Sequence, residues 1–415
     1  MRTRMFFLLL AVVLSACTSQ LPRSTDDVEP AAPAPGGVLL LGSNIGVKSV
    51  DPVTGDVLFE GSGVPALGDW SRVFTTDVSG GATTLEASDA VTGALVSRVS
   101  LPGKLSARVA AGDGSLVALM APLADGRSPW IPEPRSSTTI VVADPTGDDE
   151  PTPYRLRGNF EPEAFSTDGE SLYLIRFVPP MDPVAYRVAR LDLGRGKVLP
   201  VGTRTKSAVV ETMSGTRLEQ LPSPDGDMLY TLYTTQPAAY AEGHAHVGSP
   251  VTFVHTLSMD EGWAHCVVLP KQLWGADPVD EAMALSPDGD LLYVVDTARD
   301  LVAVMDTEDV KVIENEKVDF EPARGAETQA IVTPDGTLFV AAGSQVWALD
   351  PAALRPVETW TMEAPVAALG SGPGGLYVAM PRTVTIIDPS TGKAAASIPS
   401  PAVEDTAFVG MVARS

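Results

Sequence analysis

The four histidines of the chain lie near one another in sequence, at a spacing that could bind a metal ion. His244 and His246 form a His-x-His pair, and His255 and His265 follow it. Imidazole nitrogens arranged in this way, completed by a more distant ligand, are common zinc ligands. The segment Gln236–Pro250 around the pair is rich in small residues and is typical of a surface loop, where histidines need no ligand role. A metal site at His244 and His246 is therefore one interpretation beside that of a plain loop, and no other cofactor is predicted.

Cys266 is the other side chain near this segment that could do chemistry. A cysteine nucleophile needs a lowered pKa and a positioned base. The apolar neighbours Ala264, Val267 and Val268 predict instead a thiol buried in a core strand. Successive side chains of a strand point to opposite faces, so His265 and Cys266 should not bind the same ion.

The sequence contains none of the short motifs that identify common catalytic sites. Gly-x-Ser-x-Gly, His-Glu-x-x-His, a phosphate-binding Walker loop and a calcium loop are all absent from it. The acidic residues are too numerous and dispersed to single out a catalytic pair. No catalytic residue is assigned, and a non-enzymatic protein is expected.

The N-terminal segment has the three-part layout of a secretory signal. Arg2 and Arg4 precede the apolar run Met5–Leu14, which is shorter than the roughly 20 residues of a membrane-spanning helix. The following Leu14-Ser15-Ala16-Cys17 resembles the bacterial lipobox. That resemblance implies cleavage before Cys17, a lipid on its thiol and tethering to the extracytoplasmic face of the cell membrane.

Three regions follow from this N-terminus. Residues 1–16 are expected to be a cleaved signal peptide, residues 17–37 a lipid-bearing spacer rich in alanine and proline, and residues 38–415 the folded domain. Lipid on Cys17 would leave Cys266 without a disulfide partner within the chain, so the domain should be stabilised by burial.

The charge of the chain excludes some classes of partner. The net charge is −23, and removal of residues 1–16, which carry two arginines and no acids, moves it to −25. Nucleic-acid binding and adhesion to anionic lipid both need clustered Lys and Arg. We therefore expect no nucleic-acid partner, membrane contact through the lipid alone, and a monomer.

From residue 38 onward the chain repeats one theme of strand, turn, strand, strand and second turn. The first turn carries Pro-Asp-Gly or a similar triplet, suited to a tight hairpin, and a Leu-Tyr strand follows it. The second turn carries an aspartate and usually a glycine. The expected repeats are 38–60, 61–103, 104–157, 158–205, 206–270, 271–320, 321–361 and 362–400.

The repeats that carry these motifs most clearly resemble a known family. Ser286-Pro-Asp-Gly-Asp-Leu-Leu-Tyr-Val-Val295, followed by Leu301–Asp306, looks like the YVTN type of β-propeller repeat of bacterial surface proteins, which is WD40-like. The core here is Tyr-Val-Val-Asp at 293–296 instead of Tyr-Val-Thr-Asn, and seven blades are commoner in that family. We predict an all-β propeller of eight four-stranded antiparallel blades, with seven as the alternative. The strand Thr406–Val412 should join the first blade, which lacks an initial strand, and close the ring.

Two segments depart from the rhythm of the repeat and are expected to be loops. Pro122–Ser137 carries Trp130, and the histidine segment carries Tyr240. Trp130 and Tyr240 are candidate partner contacts, although each loop could simply pack on its own blade.

We expect a membrane-tethered binding scaffold for an envelope protein, peptide or glycan. An assembly factor for envelope proteins would look the same in sequence. The alternative from another class is a metal-dependent hydrolase or lactonase that acts at the propeller channel.

Overall fold

The fold was analysed in a computed structural model, and almost all of its regular structure is β-strand. The structure describes residues 37–43, 46–52, 54–61, 63–65, 71–123, 133–204, 212–236, 251–320, 326–372, 375–399 and 406–413. The only helical elements within these ranges are two 3-10 turns, Lys271–Leu273 and Pro278–Asp280. No helix in the described residues is long and apolar enough to cross a membrane.

Thirty-two strands form eight four-stranded antiparallel sheets. The strands up to residue 200 are β1 (Gly37–Ser43), β2 (Gly46–Val50), β3 (Val57–Gly61), β4 (Gly63–Pro65), β5 (Arg72–Ser79), β6 (Ala82–Asp89), β7 (Leu95–Pro102), β8 (Ser106–Ala110), β9 (Val117–Met120), β10 (Ser137–Ala143), β11 (Thr152–Arg157), β12 (Asn159–Phe165), β13 (Ser171–Val178), β14 (Ala185–Asp192) and β15 (Lys197–Pro200). The remaining strands are β16 (Thr216–Pro222), β17 (Met228–Gln236), β18 (Val251–Ser258), β19 (Ala264–Val268), β20 (Glu281–Leu285), β21 (Leu291–Asp296), β22 (Leu301–Asp306), β23 (Lys311–Lys317), β24 (Thr328–Val332), β25 (Leu338–Ala342), β26 (Gln345–Asp350), β27 (Arg355–Thr361), β28 (Ala368–Gly372), β29 (Gly375–Met380), β30 (Thr383–Ile387), β31 (Ala394–Pro399) and β32 (Thr406–Ala413).

The sheets are arranged as the blades of an eight-bladed β-propeller. First strands of neighbouring blades contact each other in the pairs β4 and β8, β8 and β12, β16 and β20, β20 and β24, and β24 and β28, so the first strands surround the axis. Blade 1 has the strand order β3-β2-β1-β32, and β32 contacts β28. The C-terminal strand thus supplies the missing inner strand of blade 1. The predicted fold, the count of eight blades and the closing strand are confirmed.

The repeated Leu-Tyr pair is explained by the packing of neighbouring blades. Adjacent residues of a strand face opposite sides of the sheet. In blade 4, Leu172 packs against blade 3 and Tyr173 packs against blade 5. The same alternation holds in the next four blades for Leu229 and Tyr230, Leu292 and Tyr293, Leu338 and Phe339, and Leu376 and Tyr377. One dipeptide per repeat therefore contributes to both blade interfaces.

The aspartate of the first turn holds its hairpin through side-chain hydrogen bonds, as the motif predicts. The Ser286 hydroxyl donates to Asp288 at 2.6 Å, and the Asp290 amide donates to the same carboxylate at 3.2 Å. Asp168 and Asp335 accept equivalent bonds from Ser166 and Thr333. These bonds lower the pKa values of all three carboxyl groups.

One turn glycine is required by a close backbone approach. Gly375 has φ of +136°, and a Cβ at this position would lie 2.1 Å from the Ile387 carbonyl oxygen. Gly336, in the matching turn of blade 7, has φ of +90° with no atom within 4 Å of such a Cβ. We expect Gly336→Ala to cost only the backbone strain, about 1–2 kcal/mol. Gly375→Ala should cost several kcal/mol more in urea unfolding, because it adds a backbone clash. Equal losses would contradict this assignment.

Because consecutive strands of a blade run in opposite directions, the connections between them alternate between the two faces of the ring. The innermost strands all begin at one face, which we call the upper face, and the connection between the second and third strand of each blade returns to it. Blades 3, 4 and 5 have the longest of these connections, formed by residues 121–136, 179–184 and 237–250. The connection of blade 4 lies at the upper face together with residues 121–123 and 133–136 of blade 3, whereas residues 124–132 and 237–250, which include most of the two predicted loops, lie outside the described residues.

Candidate functional site

Most residues that the sequence singles out lie outside the described part of the chain. Cys17, Trp130, Tyr240, His244 and His246 are all in this group. Lipidation, the metal pair and the two aromatic contacts therefore stay predictions. Among the described residues, no group of three or more His, Cys, Asp or Glu is placed to hold a metal ion.

The placement of Cys266 corrects one expectation. Cys266 lies on β19, the outermost strand of blade 5, and it is half-buried rather than enclosed in a core strand. It lies opposite His255 in the strand register, whereas His265 lies opposite Thr256. His265 and Cys266 therefore occupy opposite faces of the strand, as alternation predicts.

The inner strands of blades 4, 5 and 6 carry a group of buried acids that the sequence analysis did not single out. Glu161 and Glu163 lie on β12, Glu219 on β16 and Glu281 on β20, and each is at most 6% exposed. Buried carboxyl groups are costly unless they are paired, hydrogen-bonded or protonated. We call these four residues the axial acids.

Glu161 binds two arginines of the preceding blade. The Arg135 guanidinium donates to Glu161 Oε1 at 2.5 Å, and Arg108 Nε lies 3.6 Å from Oε2. Arg135 also donates to the side-chain oxygen of Asn159 at 2.9 Å and to the carbonyl of Phe160 at 3.3 Å. Residue 135 belongs to the long connection of blade 3, so this connection is anchored to the first strand of blade 4.

Two other axial acids join blade 5 to its neighbours. Gln220 donates a hydrogen bond to Glu163 at 2.8 Å, and this bond links blades 4 and 5. Gln220 also donates to the Thr231 hydroxyl of its own blade at 3.2 Å. Glu219 accepts a hydrogen bond from the Met283 amide, which links blades 5 and 6. Polar contacts therefore connect consecutive inner strands where propeller blades are otherwise packed by apolar side chains.

Glu281 lies in a polar cluster beneath the upper face. It is opposite the fully buried Asp296 in the strand register, and Asp296 binds the Arg299 guanidinium at 2.8 Å. The hydroxyls of Thr297 and Thr328 lie 2.7 Å apart and link blades 6 and 7. The carboxyl group of Glu281 thus lies near that of Asp296, which is already paired with Arg299.

Burial is the largest cause of the raised pKa values of Glu219, Glu281 and Glu161. It raises the pKa of Glu219 to about 8, against a smaller lowering by the Met283 amide. It also raises the pKa of Glu281 to about 8, and the charge of Asp296 adds to that shift. The pKa of Glu161 is raised by burial as well, although Arg135 and Arg108 oppose the change.

These shifts predict that the chain loses stability as pH rises. In the unfolded chain, Glu219 and Glu281 release their protons near pH 4.5, which is their ordinary pKa. In the folded chain they keep these protons up to about pH 8. The unfolded chain then binds fewer protons, so the free energy of unfolding falls between pH 4.5 and about 8, by up to about 1.4 kcal/mol per pH unit for each group. We expect urea unfolding of the Glu219→Gln, Glu281→Gln double variant to show a flatter pH profile and a higher stability at pH 8.

The matched control is Glu316→Gln, which removes a charge from an exposed position on β23. It should leave the pH profile parallel to that of the unsubstituted chain. An unchanged slope in the double variant would show that the two carboxyl groups do not cause the effect.

The repeat contains a signal for the axial acids that the sequence analysis did not use. Glu161 and Glu281 each stand seven residues before the turn aspartates Asp168 and Asp288, and Thr328 occupies the same position before Asp335. Alignment of the repeats on this aspartate would have placed two acids at equivalent positions of an inner strand. Their burial could not be predicted in a chain with so many exposed acids.

Comparison with known proteins supports the fold. No protein-family model and no curated protein matches the chain. It is similar to the solved structure of apo AztD from Citrobacter koseri, with a TM-score of 0.56 and 13% identity over 92% of this chain and 99% of that one. The dihydro-heme d1 dehydrogenase NirN in complex with DHE gives a TM-score of 0.48 and 11% identity over 97% of this chain and 79% of that one. At 13% identity the similarity to AztD shows a shared fold alone.

Proposed function

We propose that the chain is a binding scaffold of the bacterial envelope, a propeller lipoprotein held on the outer side of the cell membrane by lipid on Cys17. Its upper face at blades 3–6 recognises a protein, peptide or glycan partner. The lipobox and the YVTN-like repeats of the sequence support the location, and the long connections of the upper face support the recognition.

The observation that carries the proposal is the concentration of unusual features at one face of a regular ring. The chain segments between the second and third strands are longest in blades 3, 4 and 5, and the buried acids lie on the inner strands of blades 4, 5 and 6. The connection of blade 4 also exposes apolar side chains: Met181 and Val184 are each 57% exposed. Exposed apolar groups beside charged ones are typical of a protein-binding surface.

Site-specific photo-crosslinking in cells tests which face is used. A photoreactive residue at Met181 or Val184 should give a discrete crosslinked product, and one at Thr337, in a hairpin on the opposite face, should give none. Cys17→Ser should release the chain from the membrane fraction and abolish the product. Products of equal yield from both faces, or no product from the upper face, would refute the proposal.

A further inference from the structure

Two arginines of blade 4 lie opposite each other on neighbouring strands. Arg176 on β13 is directly opposite Arg187 on β14 in the strand register, and Phe160 on β12 is opposite Arg176. The Arg176 guanidinium lies over the Phe160 ring at 5.8 Å, and Arg187 Nε donates to the Thr212 hydroxyl at 2.9 Å. Like charges directly opposite one another in a sheet are destabilising unless a counter-charge lies between them.

The half-buried Arg135 and the more deeply buried Arg108 continue this positive cluster. Arg135 contacts the carbonyl of Phe160, the residue whose ring lies under Arg176. Arg135 and Arg108 share the single carboxylate of Glu161, and the side chain of Arg108 is only 9% exposed. Burial lowers the pKa of Arg108, the charge of Glu161 opposes this shift, and the charge of Arg135 adds to it.

Several N–H donors of this cluster have no acceptor within the described residues. Each guanidinium has five N–H groups. Arg108 uses two of them, in bonds of 2.7 Å to the Ser106 hydroxyl and to the carbonyl of Ala121. Arg135 makes its hydrogen bonds through Nε and Nη2, and its side chain is 25% exposed. Its Nη1 group has no acceptor among the described residues.

We propose that Arg135, Arg176 and Arg187, with Arg108 beneath them, form an oxyanion-binding site on the upper face. Its ligand carries a carboxylate or a phosphate group, because a planar guanidinium donates two parallel hydrogen bonds to either. The site rests on the proposed function and specifies the chemistry of the partner.

The surroundings favour a small anionic group over a large anionic surface. The exposed carboxylates of Glu133 and Asp182 lie in the two connections beside the cluster, and the chain as a whole carries a net charge of −23. Charges at a distance are screened over about 10 Å at 0.1 M salt, whereas groups in direct contact are not. A single carboxylate or phosphate within a largely neutral ligand therefore fits best.

Ligand titrations of the full-length chain test this site at low ionic strength. The probes are inorganic phosphate, N-acetylalanine, and N-acetylalaninamide, which lacks the charge, and the readouts are the melting temperature and the NMR signals of the arginine Nε–H groups. We expect saturable binding of a charged probe and none of the amide. Arg176→Gln and Arg187→Gln should each raise the Kd about tenfold, the loss of one charged hydrogen bond.

The matched control is Arg195→Gln, because Arg195 is exposed and binds Asp192 at the turn before β15, away from the cluster. It should bind the probes as the unsubstituted chain does. Tighter binding of phosphate would indicate a phosphate-bearing partner, and tighter binding of N-acetylalanine a carboxylate-bearing one. Either result supports the site. No saturable binding, or equal weakening by Arg195→Gln, would overturn it. If the upper-face crosslink persists while all anion binding is absent, the oxyanion site fails and the binding scaffold stands.

Discussion

Deletion of residues 400–415 is expected to remove most of the stability of the ring. The deletion removes β32, which pairs with β1 from Gly37 to Ser43 and contacts β28. Val38, Leu39, Leu40 and Leu41 of β1 are at most 4% exposed and would lose cover at the inner edge of blade 1. Re-exposing aliphatic side chains costs about 1.5–3 kcal/mol each, comparable in sum with the whole stability of a typical domain. Urea unfolding should show a loss of several kcal/mol or no cooperative transition.

The control keeps the strand and changes only its connection. Replacing residues 400–405 with a Gly-Ser linker of the same length should preserve the unfolding midpoint, because β32 can still pair with β1. A synthetic peptide of residues 400–415 should restore part of the lost stability when added to the deletion variant. An unaltered midpoint after the deletion would mean that the ring does not depend on closure by the C-terminal strand.

The fold was predictable because most blades repeat the same turn motif and the same pattern of strand residues. The aspartate and glycine of the first turn mark a hairpin, and Leu292 and Tyr293 mark the strand that must serve two interfaces. These signals recur along the chain, so the blade count could be read from them. The strand at 406–413 was recognisable because it was left over after blade 8, just as blade 1 lacked an inner strand.

The candidate site was not predictable, because its residues act through contacts between blades. Arg108 and Arg135 meet Glu161 from two different parts of blade 3, and no local motif joins them. Arg176 and Arg187 become neighbours only through the register of β13 and β14. Histidines and aromatics in loops were the conspicuous candidates, whereas an arginine on a strand resembles an ordinary surface residue until the register is known.

Replacement of Glu161 by alanine is expected to cost far more stability than the loss of a surface ion pair. Glu161 is 1% exposed and is the carboxylate shared by Arg135 and Arg108. Its loss leaves two guanidinium groups without their anion, one of them largely buried, which typically costs about 3–5 kcal/mol. Glu86→Ala is the matched control, since Glu86 and its partner Arg98 on blade 2 are 29% and 60% exposed. It should cost at most about 1 kcal/mol, and equal losses in urea unfolding would contradict the importance of burial.

The same variant connects the stability of the ring with the proposed anion site. Glu161→Ala removes the carboxylate that Arg108 and Arg135 share, so an added small carboxylate can take its position. We therefore expect acetate or formate to restore part of the stability of Glu161→Ala, with a saturable concentration dependence, and to change the unfolding of Glu86→Ala by no more than the general effect of salt. Chloride at the same ionic strength serves as the control, because it screens charge but cannot form two parallel hydrogen bonds with a guanidinium. Equal recovery with chloride would assign the effect to screening, whereas selective recovery would show that these arginines bind an oxyanion at the junction of blades 3 and 4.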